Sequence, residues 1–225
     1  MKIGIIVAME KELNLLLPLI HDVSEVILND FRYYCGTVNH HEIIAVKCGI
    51  GKVNAAIGTL TLIENFHPAL IINTGVAGGT GNASILDVVI GEEIAYHDCW
   101  CGPGTEWGAA AGCPPRFRSS EPLVQLPLFS GNPRVKKGLI ASGDIFVSKK
   151  SEVDHVLSLY PGALAVDMES AAIAQVCHMK SVPVFIMRVI SDTPGADDNI
   201  AQYENFWNDA PRATFQLLKE LILSL

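Results

Sequence analysis

One α/β domain is the fold the sequence predicts, and three observations predict it. Short β-branched runs alternate with helix-like segments from one end of the chain to the other. Nearly half of the residues (49%) are apolar and only 18% are charged, which suits a sheet covered on both faces. At 225 residues the chain falls within the range of one α/β domain. No linker, internal repeat or low-complexity tract divides it.

The totals also exclude partners. A formal net charge of −8 argues against nucleic acid or an anionic membrane as the main partner. It leaves open a nucleoside, whose recognition depends on local groups. No apolar run approaches the ~20 residues needed to span a bilayer. The chain begins on a strand-like run and carries no cleavable signal pattern. Its six cysteines form no CxxC pair and no framework spacing, so they read as reduced thiols of a cytoplasmic protein.

Lys2 to Ala8 reads as a first central strand. Met9 to Glu12 then open a helix that runs toward Pro18. Glu10 and Glu12 point in different directions on a helix, so at most one faces the strand-end crevice. Acids in a first turn also have a plain role against the helix dipole. Tyr33 to Val38 and His41 to Cys48 flank Asn39-His40 as a hairpin. Gly49-Ile50-Gly51-Lys52 has the wrong glycine spacing for a Walker phosphate loop, which argues against ATP. The helix after it, Val53 to Phe66, has Val53, Ala56, Ile57, Leu60, Ile63 and Phe66 at a spacing that predicts one buried face.

A strand through Asn73 leads into Thr74 to Gly79, read as a Gly-rich turn where a ligand can approach the backbone closely. Asp87 to Tyr96 is a further strand. His97, Asp98, Cys99, Cys101 and Cys113 follow, but their spacing matches no zinc pattern, and no metal or cofactor is expected. The Gly- and Pro-rich stretch 102–133 reads as a long loop. Lys137 to Ser142 is a strand that ends before Phe146, an aromatic placed either to stack on a flat ligand or to pack in the core. Asn199 to Leu225 is mainly helical and amphipathic.

Thirty residues from Ala163 to Asp192 hold the densest chemistry. A short apolar run reaches Val166, and Asp167, Met168, Glu169 and Ser170 start a helix. A second apolar run, Val184 to Ile190, ends in Ser191-Asp192. Strand C-terminal ends are where α/β proteins bind ligands. Asp167 or Glu169 could simply cap the helix. Arg188 is harder to set aside, because a charge inside a buried run needs a partner.

Eight stretches in register resemble the 5′-methylthioadenosine/S-adenosylhomocysteine nucleosidases of the purine nucleoside phosphorylase superfamily: Ile3–Glu12, Gly49–Ala56, Ile72–Gly79, Tyr96–Asp98, Gly112–Pro114, Ser142–Phe146, Val166–Ala171 and Arg188–Asp192. The resemblance implies one domain over 1–225, with a mixed, partly barrel-like central sheet flanked by helices. It implies a homodimer whose partner helps close the pocket. The implied substrate is a small 5′-thio-substituted adenosine, with 5′-deoxyadenosine as a possible further one, and the reaction is hydrolysis of the bond to adenine.

That chemistry needs an acid for the purine N7, which the resemblance assigns to Asp192 with Ser191 beside it. Glu12 would activate water, Glu169 would bind the ribose hydroxyls and Arg188 would orient the carboxylates. Phe146 would stack on adenine and the Val147 backbone would read its edge. Met9, Asp167 and Met168 fall beside the ribose, while Ile50, Val76, Ala77 and Gly78 border the base and 5′ group. Tyr203 and Phe206 would close the thio-alkyl side. The chain departs from the family at Asp167, where many relatives have Glu, and at Val76, where bacterial members often have Ser. It departs also in the loop Cys99–Ala111, where Gly104 and Ala111 fall about where some relatives contribute an aromatic and a proline to the partner's 5′ pocket. These departures bear on 5′ specificity.

The rival readings are a hydrolase of another purine nucleoside, such as a futalosine-type one, and a phosphate-dependent phosphorylase. The first loop supplies Glu12 where a phosphorylase wants a cation, and a phosphate dianion beside it would be repelled. A silent nucleoside-binding module would be expected to have lost Glu12 or Asp192.

Overall fold

A computed structural model describes residues 1–209 and 211–225. The first half holds β1 (Lys2–Val7), α1 (Glu10–Leu16), β2 (His21–Leu28), β3 (Phe31–Val38), β4 (His41–Lys47), α2 (Lys52–Phe66), β5 (Leu70–Gly79) and β6 (Val88–Tyr96). The second half holds β7 (Phe117–Arg118), α3 (Glu121–Val124), β8 (Val135–Ser142), α4 (Lys150–Leu159), β9 (Ala163–Asp167), α5 (Ser170–Lys180), β10 (Val184–Asp192), α6 (Asn199–Asp209) and α7 (Pro211–Ser224).

The strands form a single mixed sheet in the order β10-β6-β8-β9-β5-β1-β4-β3-β2, with β7 beside β6. A further pairing of β10 with β5 closes β5, β10, β6, β8 and β9 into a barrel. The remaining strands fan out from it through β1. The partly barrel-like sheet expected from the sequence is therefore present.

Both faces of β1 are covered, which is why its sequence is apolar without alternation. Ile3, Ile5 and Val7 pack with Leu13 and Leu16 of α1 and with Leu218 and Leu221 of α7. Ile6 points the other way, toward Leu62 of α2 and Ile173 of α5. Full burial of each such side chain contributes about 1.5–3 kcal/mol, so these two layers hold the strand ends in place.

Three expectations are corrected. In α2 the buried residues are Ala55, Gly58, Thr59, Thr61, Leu62 and Ile63, while Val53 and Ile57 are exposed. Ile63 is buried as expected, and Leu62 beside it, but Val53 and Ile57 face outward while the small residues Ala55, Gly58, Thr59 and Thr61 face inward. Thr74 to Gly79 is not a turn but the second half of β5, paired on one side with β10 and on the other with β9. The stretch 102–133 contains β7 and α3, and β2 was not anticipated because its side chains are almost all exposed and show no burial period.

The register brings the site together. Gly78 of β5 lies between Asp192 on β10 and Val166 on β9, and Ser142 at the end of β8 pairs with Asp167.

Candidate active site

A cavity opens at these strand ends. It is lined by Met9, Glu12, Ile50, Val76, Ala77, Gly78, Phe146, Val147, Asp167, Met168, Glu169, Ser191, Asp192 and Tyr203, together with Ala8, Ile145 and Val166. The first fourteen are all residues expected from the sequence. Arg188 and Phe206 lie outside the lining.

Glu12 sits in the first turn of α1 and reaches back to the end of β1. Its Oε2 accepts the backbone N–H groups of Ala8 and Met9, both at 2.9 Å. Its Oε1 accepts the N–H of Val76 at 3.0 Å. Gly75 makes this approach possible, since a Cβ there would stand 2.4 Å from Oε1. Burial pushes the carboxyl above the usual glutamate range, against these three bonds and the Arg188 charge. Glu10, by contrast, points out to Lys47.

Asp192 ends β10. Its Oδ1 is 2.7 Å from Ser191 Oγ, and its Oδ2 accepts the amide of Asn199 at 2.9 Å. Burial raises its pKa, and those two bonds oppose the rise. A carboxyl in this setting is suited to carry a proton.

Between them lies Glu169, at the N-terminal end of α5. It accepts the N–H of Gly51 at 2.9 Å. Gly51 has φ +96°, a conformation that favours glycine. The loop that looked superficially like a phosphate loop thus turns an N–H toward a carboxylate. Burial, then the neighbouring Asp167 charge, push the Glu169 carboxyl up to about 7, against Arg188 and that N–H. Lys52 and the Asp144 backbone N–H both bind Asp98 Oδ2 at 2.8 Å, and Lys52 N–H binds Asp144 Oδ1 at 2.7 Å. This clamp fastens the start of α2 to the loop that carries Phe146.

Arg188 is buried behind the cavity wall. Its Nε donates to Asp167 Oδ2 at 2.8 Å, its Nη1 to Met187 O at 3.1 Å and its Nη2 to Asn73 Oδ1. Asp167 in turn accepts the backbone N–H of Ser170 at 3.3 Å, and also its hydroxyl. Asp167 thus binds the first residue of α5 as well as Arg188, while the N-cap position itself is Glu169, whose side chain makes no cap bond.

The apolar wall is formed by Phe146, half exposed, and Tyr203, whose rings meet edge to face at 6.2 Å. Tyr203 Oη lies 3.2 Å from Met9 Sδ. Phe206 is buried one turn along α6, against Val189 and Trp207. Three residues apart, Tyr203 and Phe206 share a face of α6, but Phe206 lies a turn further along, packed on Val189 and outside the cavity lining. The cysteines are free thiols, and among the described residues no group of three or more His, Cys, Asp or Glu is placed to hold a metal ion. Sequence reasoning missed Asn199, Lys52, Asp98 and Asp144. The last three at least fall within or beside stretches that carry the resemblance, whereas nothing local marks Asn199.

The sequence profile of the phosphorylase superfamily matches residues 2–223. The chain is 38% identical over 231 aligned positions to the 5′-methylthioadenosine/S-adenosylhomocysteine nucleosidase of Geobacillus sp. (strain WCH70), covering 100% of this chain and 99% of the relative. A crystal structure of the Neisseria meningitidis nucleosidase with methylthio-immucillin-A superposes with a TM-score of 0.93 at 35% identity, over 100% of this chain and 99% of that one. The Streptococcus pyogenes S-adenosylhomocysteine nucleosidase, bound to 5-methylthiotubericidin, gives 0.94 at 36%, over 100% and 97%.

Proposed function

Because the chain belongs to the phosphorylase superfamily, among its 5′-methylthioadenosine/S-adenosylhomocysteine nucleosidases, we propose that it hydrolyses the N-glycosidic bond of those two nucleosides. The products are adenine and the 5′-thioribose, and residues 1–225 act as one nucleosidase domain. Water rather than phosphate is the nucleophile. The observation that carries this choice is the lining itself: it contains three Glu and Asp side chains that are not paired to Arg (Glu12, Glu169, Asp192) and no Lys, Arg or His. The one nearby arginine spends its donors on Asp167, Asn73 and Met187. A phosphate dianion would meet carboxylates with no facing cation.

The roles follow from the chemistry of the bond. As C1′–N9 breaks, its electrons pass to the purine, and Asp192 gives its proton to N7. The sugar becomes oxocarbenium-like. Glu12, whose ionised form three backbone N–H groups favour against the effect of burial, takes a proton from the water that attacks C1′. Glu169 accepts the ribose hydroxyls. Arg188 holds Asp167, and through it the start of α5, in register with Glu169. Phe146 stacks on adenine, Val147 presents its backbone to the base edge, and Ile50, Val76, Ala77 and Gly78 border the base and 5′ group. Met9, Met168 and Tyr203 line the sugar and its substituent. Phe206 supports Tyr203 from behind rather than touching substrate.

We also propose a homodimer. Val53 (68% exposed) and Ile57 on α2 and Met179 (66%) on α5 lie outward. Val53 and Met179 line one groove with Ala56 and Val176. A contiguous apolar surface of this kind fits a second copy of the chain. A monomer mass in solution at every concentration would refute it.

The function is tested by adenine release from 5′-methylthioadenosine in phosphate-free buffer. Release without phosphate, unaltered by adding it, is expected. Strict dependence on phosphate would move the chain to the phosphorylases. No release either way would direct attention to other 5′ groups, futalosine-type nucleosides first.

A further inference from the structure

One buried polar side chain beside the acid has no part in this mechanism. Asn199 opens α6, is 5% exposed and does not line the cavity. Its amide donates to Asp192 Oδ2 at 2.9 Å. The chain around it is tied down: the Thr193 N–H binds Gln202 Oε1 at 2.9 Å, the Gly195 N–H binds Ser148 O at 2.9 Å and the Asn199 N–H binds Ala196 O at 3.2 Å. These bonds set the start of α6 against the end of β10.

We propose that Asn199 is a positioning residue for the general acid: it keeps Asp192 Oδ2 as the unprotonated oxygen and leaves the transferable proton on Oδ1, beside Ser191. An amide NH₂ can only donate. A carboxyl O–H directed at it would set donor against donor, so the proton resides on the other oxygen. Ser191 is under no such constraint. Its Oγ lies 2.7 Å from Oδ1 and 3.3 Å from Ala77 O. It accepts from the protonated acid while donating to Ala77, and donates to Oδ1 once the proton has gone to the purine. Ser191 lines the cavity and Asn199 does not, so the proton is held on the substrate side of the carboxyl.

This inference rests on the assignment of Asp192 as the acid, and its test separates the two. Asn199→Leu removes the donor at similar volume. With 5′-methylthioadenosine, kcat is expected to fall about 10- to 100-fold, as when a hydrogen bond to a charged group is lost. KM should change by less than about threefold, because ground-state contacts are untouched. The same variant is then given 5-methylthioribose bearing 4-nitrophenolate at C1′. That leaving group departs as an anion and needs no proton, so wild type and variant should be equal. An equal loss on both substrates would make Asn199 merely structural, and no loss on either would give it no role; both overturn the proposal. If the leucine variant does not fold, Asn199→Ser must show the same split between substrates. A wild-type enzyme unable to release adenine from methylthioadenosine would instead overturn the functional reading itself.

Discussion

The two ends of the cavity hold their carboxyl groups by different means. Glu12 is held by main chain: three backbone N–H groups from the end of β1 and the middle of β5 converge on its two oxygens. Asp192 is held by side chains, one from β10 and one from α6. Backbone donors at a strand end are supplied by the sheet and survive most substitutions. They favour the ionised form, as a base requires. Side-chain partners can reverse a hydrogen bond, as a hydroxyl does, and an acid that gives up and regains a proton needs that. The base is thus set by the barrel, and the acid by a helix docked against it.

The largest expected effects break the two ends separately. Glu12→Gln and Asp192→Asn should each lower kcat for methylthioadenosine by about 10²–10⁴, the usual worth of an acid–base group. With the 4-nitrophenolate substrate they should part: Asp192→Asn recovers most of its activity, and Glu12→Gln does not. Equal recovery of both would mean that the assignment of base and acid is wrong. A smaller effect is expected from Gly75→Ala. Its methyl would stand where Glu12 Oε1 now approaches, at 2.4 Å, and so push the carboxylate off the Val76 N–H. A shift of order 1 Å can cost about 10²-fold. The loss should appear on both substrates, because it lies on the base side. A Gly75→Ala enzyme with wild-type kcat would show that the close approach is not needed.

Much of this was legible in the sequence, and the failures have physical causes. Arg188 announced itself as a charge in an apolar run, and helix geometry let at most one of Glu10 and Glu12 face the site, the resemblance naming Glu12. The second partner of Arg188 could not be read, since Asn73 lies 115 residues away and was taken for the end of a strand. The glycines of β5 looked like a turn because strands seldom carry them. Here they let Glu12 and neighbouring strands approach the backbone. The helix face of α2 was assigned on the premise that large apolar residues turn inward, which holds for Ile63 and fails for Val53 and Ile57, both exposed. Asn199 gave no signal because an asparagine before a helix is ordinary capping chemistry. Its contact with Asp192 depends on how the intervening loop folds back.

The smallest expected effect is on stability, and it separates Glu169 from Glu12. Burial, with the Asp167 charge, pushes the Glu169 carboxyl up to about 7, so the folded chain binds that proton more tightly than the unfolded chain does. The contribution to stability is therefore full below the unfolded value, near 4.5, and is lost as pH rises through about 7. The ligand-free enzyme should have a lower Tm at pH 8 than at pH 5. Glu169→Gln removes the buried charge and should raise Tm at pH 8 by a few degrees, corresponding to about 1–3 kcal/mol, while kcat falls. Burial raises the Glu12 carboxyl as well, so Glu12→Gln also removes a charge that costs stability at pH 8, but its gain in Tm should be smaller than that of Glu169→Gln or absent. A glutamine offers one acceptor oxygen to the three N–H groups that converge there, and its NH₂ would face at least one of them unsatisfied. Thermal unfolding of both variants at pH 5 and pH 8 measures this directly. If Glu169→Gln raises Tm at pH 8 no more than Glu12→Gln does, then ionised Glu169 costs the fold no more than the base does.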